Sequence, residues 1–179
     1  MIDANERIKY DTRNRNLLKT RNALLLKFLY LTAARRSEAA NLKWEDLQQD
    51  GEFQVVILQQ TKSGEPQKLK LRRERFEELE CWNETLKTNQ IECEWVFPSL
   101  SFRTLGGKMS GKGVNDVVSK LGSAIGLKIS AHYLRHTAIT LALELGEPLQ
   151  KVQSYARHAS ANTTICLLYT SDAADDSLR

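Results

Sequence analysis

A mainly α fold with one small antiparallel β-sheet (α+β) is what this sequence predicts, and three observations carry it. Apolar residues recur at helical spacing in several separate stretches. Two neighbouring segments are instead rich in β-formers or alternate apolar with charged residues, and the Ser63-Gly64-Glu65-Pro66 turn lies between them. Glycine or proline stands at the ends of the later helical stretches.

In chain order, Leu24, Phe28 and Leu31 predict a helix over residues 17–32, and Ser37 and Glu38 open a short second one that Glu45 and Asp46 lead out of. Phe53, Val55, Val56, Ile57 and Leu58 form a strand, because β-branched side chains suit a pleated, half-buried surface. Leu69 and Leu71 alternate with Lys68 and Lys70 on a returning strand, which places Lys62 at the tip or shoulder of a hairpin. Residues 73–88 read as a charged amphipathic helix, Val96-Phe97-Pro98 as a short extended piece, and residues 99–113 as a polar, glycine-bearing loop. Val114, Val117, Val118, Leu121 and Ile125 mark the next helix, ended by Gly126. Leu134, Ala138, Leu141 and Leu145 mark another, closed by Gly146, and Pro148 suits the first turn of a last one carrying Val152 and Tyr155.

The 179 residues suffice for one domain with a real core. No apolar run is long enough to span a bilayer, and no charged-then-apolar leader is visible, so neither a membrane nor an exported protein is expected. Cys81, Cys93 and Cys166 are odd in number and share no metal-type spacing, which fits thiols in a reducing cytoplasm. The formal net charge of +4 permits nucleic-acid binding without demanding it. Its distribution says more: Arg7, Lys9, Arg13, Arg15, Lys19 and Arg21 crowd the N-terminal segment, and Lys108 and Lys112 sit in the glycine-bearing loop. A solvated face and a phosphate-contacting face both fit that pattern.

Three clusters follow one another along the chain: Thr32-Ala33-Ala34-Arg35-Arg36-Ser37-Glu38, then Thr61-Lys62-Ser63-Gly64, then His132-Tyr133-Leu134-Arg135-His136-Thr137, with His158 and Tyr169 beyond. Cleaving a phosphodiester without metal requires neutralising charge on the non-bridging oxygens, positioning a nucleophile and protonating the leaving oxygen. Arginine suits the first task because its planar fork donates two parallel hydrogen bonds to a phosphate. A lysine beside the phosphate can give its proton to a departing 5′-oxygen. His132 and Arg135 fall about one helical turn apart, within reach of a common phosphate.

The order and spacing of these clusters resemble the catalytic domain of tyrosine recombinases, the phage integrase family. Residues 32–38 match the family's T-G-x-R-x-S-E pattern, with Ala33 where glycine is usual, and Leu42, Trp44 and Asp46 continue into its L-x-W-x-D stretch. The run from His132 to Thr137 is close to the H-x-L-R-H-T box, and Arg157-His158-Ala159-Ser160 to L-G-H-x-S, with Ala156 and Arg157 replacing Leu-Gly. The resemblance implies a DNA breaking-rejoining enzyme fold over residues 17–165 and site-specific DNA recombination or integration through a 3′-phosphotyrosyl intermediate. It implies Arg35, Lys62, His132, Arg135 and His158 as catalytic residues, with Arg35 rather than Arg36 in the clamp; His136 either buttresses the site or satisfies a core contact. Double-stranded DNA and further recombinase protomers are the implied partners, with no cofactor and no metal.

The family's nucleophilic tyrosine follows the Thr163-Thr164 pair closely, but Leu167 holds that place and the nearest tyrosine is Tyr169, two positions on. The string from Cys166 to Asp176 resembles a translated sequencing-adapter sequence, so the native sequence is expected to end near Ile165, with residues 166–179 a non-native tail. The rival expectation is a small insertion that still delivers Tyr169 to the site. At the other end, residues 1–16 are expected to be a basic lead-in from a missing core-binding domain.

Two other functional classes remain open on the residues. A non-catalytic DNA-binding module would keep the basic surface without the chemistry. A metal hydrolase could use His132 and His136, which have the spacing of two zinc ligands, with His158 as a third. Against it, no glutamate lies between the pair to serve as base, and Arg135 would repel a cation.

Overall fold

The computed structural model describes residues 5–6, 8, 14–59 and 65–157. Helix α1 (Arg15–Thr32) runs into the short α2 (Arg36–Ala40) and a single 3₁₀ turn, Trp44–Asp46. Strands β1 (Leu47–Asp50), β2 (Phe53–Leu58) and β3 (Gln67–Leu71) follow, then α3 (Arg73–Thr88), α4 (Gly111–Ser123), α5 (Ala131–Glu144) and α6 (Leu149–Ala156). The expected mainly α architecture with one small sheet is what forms.

The sheet is antiparallel in the order β1-β2-β3, with Val56 opposite both Leu47 and Leu69. Strand β1 is an element the sequence reading lacks. Its residues Leu47, Gln48, Gln49 and Asp50 carry no β-branched side chain and little burial, so propensity does not reveal it. A tight turn makes it instead: Asp50 pairs with Phe53 across a two-residue loop in which Gly51 takes φ +62°.

The main core gathers around α1. Leu25, Leu29, Val56, Leu58, Trp82, Phe97, Val114 and Leu121 are fully or almost fully buried, and the Trp82 indole N–H donates to the Val96 carbonyl at 2.8 Å. The expected apolar stripes need correcting in two places. Leu31 is exposed although Thr32 and Ala33 after it are buried, and Leu141 on α5 and Leu145 just past its end are exposed while Ile139 turns inward. On α4, Gly122 lets the loop into α5 approach closely: an added Cβ would lie 2.7 Å from the Leu127 carbonyl oxygen.

A second, smaller core sits where the C-terminal ends of α1 and α6 meet α5. It consists of Ala33, Ala138, Ile139, Val152 and Ala156, with Tyr30 and Tyr155 packed against it. Small side chains allow these elements to approach closely, which brings three stretches far apart in sequence to one corner.

Candidate active site: an arginine-rich corner

The backbone turns left-handed at both helix ends that form this corner. Ala33, after α1, has φ 45° and ψ 35°, and Arg157, after α6, has φ 54° and ψ 45°. Arg35 then caps α2. Its own N–H donates to Glu38 Oε2 and its Nη1 to Glu38 Oε1, both at 2.7 Å, while its Nη2 donates to the Arg157 carbonyl at 3.2 Å. From the opposite side α5 sends Arg135 inward, where Nη1 donates to the Ala33 carbonyl and Nη2 to the Ala156 carbonyl.

Glu38 is fully buried, and it also takes a 3.0 Å ion pair from Arg157, whose side chain is 1% exposed. Arg35 is the member that reaches solvent, with 25% of its side chain exposed. Two guanidinium groups, of Arg35 and Arg157, therefore share one carboxylate in a poorly solvated corner, and that of Arg135 is held beside them by the Ala33 and Ala156 carbonyls. Burial, followed by the neighbouring charges of Arg35 and Arg157, pushes Arg135 from 12.5 down to about 10, so it remains a cation at neutral pH. Burial likewise lowers Arg157, with Glu38 opposing.

The negative end of α1 supplies the remaining compensation. Tyr155 Oη shares its one proton between the carbonyls of Tyr30 and Leu31, Arg157 Nη1 donates to that of Thr32 at 3.0 Å, and Arg135 and Arg157 both donate to that of Ala33. Each of the last carbonyls, which an α-helix leaves unpaired, thus receives a donor from this corner.

His132 lies exposed in the first turn of α5, its ring edge-to-face with His136 at 4.6 Å between centroids. His136 is half-buried, and its pKa is lowered chiefly by burial, then by the charges of His132 and Arg135. The structure thus brings Arg35 and Arg135 together and sets His132 on the same helix as Arg135, one turn away. Lys62, His158 and Tyr169 lie outside the described residues, as does the whole of residues 166–179. A depression of about 550 Å³ beside Phe53, Lys70 and Arg72 shares no residue with this corner.

The phage integrase family profile matches residues 4–175. The chain belongs to that family. Among curated relatives, the tyrosine recombinase XerA of Pyrococcus horikoshii is 32% identical over 144 residues, covering 80% of this chain and 48% of the relative. XerD of Agrobacterium fabrum is 29% identical over 164 residues, covering 83% of this chain and 48% of that one. The chain thus spans about half the length of these relatives. Among solved structures, the XerH recombinase bound to palindromic difH substrate in a post-cleavage complex superposes with a TM-score of 0.75 at 22% identity, covering 94% of this chain and 46% of that one. A crystal structure of XerA recombinase gives 0.67 at 21% identity, covering 92% and 56%. These superpositions establish the fold.

Both positions where the sequence departs from a family glycine, Ala33 and Arg157, are the ones with left-handed backbone at the corner. The family pattern expects glycine there for a physical reason, and this chain places side chains in its stead. Sequence reasoning did not find Glu38 or Arg157 as members of the site. The available signals were an acid three residues after Arg35, at capping-box spacing, and a large cation at a position that calls for glycine.

Proposed function

We propose that this chain forms the catalytic half of a site-specific DNA recombinase. The observation that carries the reading is the surplus of guanidinium charge at the corner: Arg35, Arg135 and Arg157 against Glu38 alone. Buried cations without matching anions are costly, and a phosphodiester supplies the missing negative charge in a shape that suits arginine.

In this reading, Arg35 and Arg135 neutralise the non-bridging oxygens of the scissile phosphate, assisted by His158. A tyrosine oxygen attacks phosphorus, and its proton passes to His132. The bond from phosphorus to the 5′-oxygen breaks, and that oxygen takes a proton from Lys62. The resulting 3′-phosphotyrosyl ester conserves the bond energy, so a 5′-hydroxyl from another strand can reverse the step and exchange DNA. Double-stranded DNA and other recombinase protomers are the partners, and the reaction takes place in the cytoplasm. Residues 17–165 form the catalytic domain. Most affinity then comes from phosphate contacts and falls with salt.

Incubation with a nicked suicide duplex tests the proposal. Duplex binding with a covalent adduct on Tyr169 assigns the nucleophile to this chain. Duplex binding with an adduct only after Leu167→Tyr supports recombinase chemistry with a non-native tail. A chain that neither binds duplex nor forms an adduct with either tyrosine refutes the reading.

A further inference from the structure

Arg157 stands in a conformation that side chains other than glycine rarely adopt, with φ 54°, and its own side chain is buried. All four of its terminal N–H groups have acceptors. Nη1 donates to the carbonyls of Thr32 at 3.0 Å and Tyr155 at 3.2 Å, and Nη2 to the carbonyl of Ala33 at 2.8 Å and to Glu38 Oε2 at 3.0 Å. The fifth donor, Nε, is buried and has no partner among the described residues. Neither terminal nitrogen has a donor left for a phosphate, so Arg157 cannot join Arg35 and Arg135 in holding one directly.

Its acceptors, however, belong to the groups that hold those two arginines. Glu38 Oε2, which Arg157 engages, also accepts the Arg35 N–H, and Glu38 Oε1 accepts Arg35 Nη1. The carbonyl of Arg157 itself receives Arg35 Nη2. Arg157 therefore holds Arg35 on two edges, once through its backbone and once through Glu38. The Ala33 carbonyl is shared between Arg135 and Arg157, so the same side chain fixes the acceptor that orients Arg135. We propose that Arg157 is a positioning residue that locks Arg35 and Arg135 side by side for a phosphate, a task a glycine at this corner cannot perform. This rests on the corner being the phosphate-binding site proposed above.

Nitrogen-15 NMR of the arginine side chains in the 179-residue protein tests the role, using Arg157→Gly and Arg157→Lys. Glycine suits the left-handed backbone, so the first variant keeps the corner's path while losing the fork. Slow exchange and restricted rotation of the Arg35 and Arg135 guanidinium groups are expected in the wild type and lost in Arg157→Gly. Arg157→Lys, which keeps the charge but not the planar fork, falls between them. Titration with a short DNA duplex should then move the Arg35 and Arg135 signals at about tenfold higher concentration in Arg157→Gly, because two side chains must be ordered on binding. Guanidinium signals indistinguishable from wild type in either variant overturn the proposal, and Arg157→Lys alone decides it if Arg157→Gly does not fold. Wild-type signals that ignore the duplex refute the phosphate reading instead, and the ligand-free comparison still decides the role of Arg157.

Discussion

Replacing Glu38 with glutamine keeps the volume of the side chain and removes its charge. The wild-type carboxylate accepts three hydrogen bonds, from the Arg35 N–H, Arg35 Nη1 and Arg157 Nη2, at 2.7, 2.7 and 3.0 Å. A carboxamide offers one oxygen and one NH₂, so either orientation sets a donor against a donor. Removing one partner from a buried ion pair costs about 3–5 kcal/mol. Arg35 is a quarter exposed, and water can take over part of its share, which favours the low end, about 3 kcal/mol. For a domain of this size each kcal/mol moves the midpoint by about 2–4 °C, so Glu38→Gln should melt roughly 6–12 °C below wild type. The control is Glu45→Gln, which removes an exposed partner of Lys43 and should shift the melt by no more than about 1–2 °C. Thermal unfolding followed by circular dichroism reads both. A Glu38→Gln melt as close to wild type as the control would show that the guanidinium groups do not depend on this carboxylate.

Three further outcomes follow from the same geometry. The pKa of His136 is lowered, so the folded protein favours its neutral ring while the unfolded chain protonates near 6.5. Its stabilisation is complete above that pH and is lost as pH falls toward the lower folded value; melts between pH 7 and 5 should decline less steeply in His136→Gln, and an unchanged slope would contradict the shift. Gly122→Ala drives a methyl toward the Leu127 carbonyl and the Ile129 side chain and should cost about 1–3 kcal/mol in denaturant unfolding; a neutral result would mean the loop yields freely. In a protein extended to the relatives' full length, Arg135→Ala should abolish strand cleavage, yet reduce the slope of duplex affinity against salt by only about one unit. A loss of affinity as large as the loss of cleavage would contradict a role in the chemistry.

Periodicity was a sound guide where an element is defined by its own residues. The expected bounds of β2 and α3 coincide with Phe53–Leu58 and Arg73–Thr88, because the β-branched run and the charged amphipathic pattern are local. It failed where a neighbour decides. The edge strand β1 exists through the turn at Gly51, and Leu141 and Leu145 lie off the face that meets the second core, against which Ala142 and Leu143 pack instead. The site divides the same way. Arg35 and Arg135 were legible because their boxes carry a chemical pattern. Arg157 and Glu38 lie 119 residues apart, and nothing local in either stretch announces that they pair.

The two left-handed corners explain why the fold and the arginine cluster stand or fall together. A left-handed conformation costs roughly 1–2 kcal/mol at a residue other than glycine, and this chain accepts it at both Ala33 and Arg157. The turn at Ala33 directs the last carbonyls of α1 into the corner, and the turn at Arg157 directs a cation toward them. Their contact, Arg157 Nη2 to the Ala33 carbonyl at 2.8 Å, joins one strained turn to the other. The negative end of α1 and the Glu38 carboxylate together hold three guanidinium groups in place without neutralising them. In the proposed function that residual positive charge attracts the phosphate, which enters beside the partly exposed Arg35. In that proposed function, capping α1 and preparing a site for phosphate are therefore the work of the same hydrogen bonds.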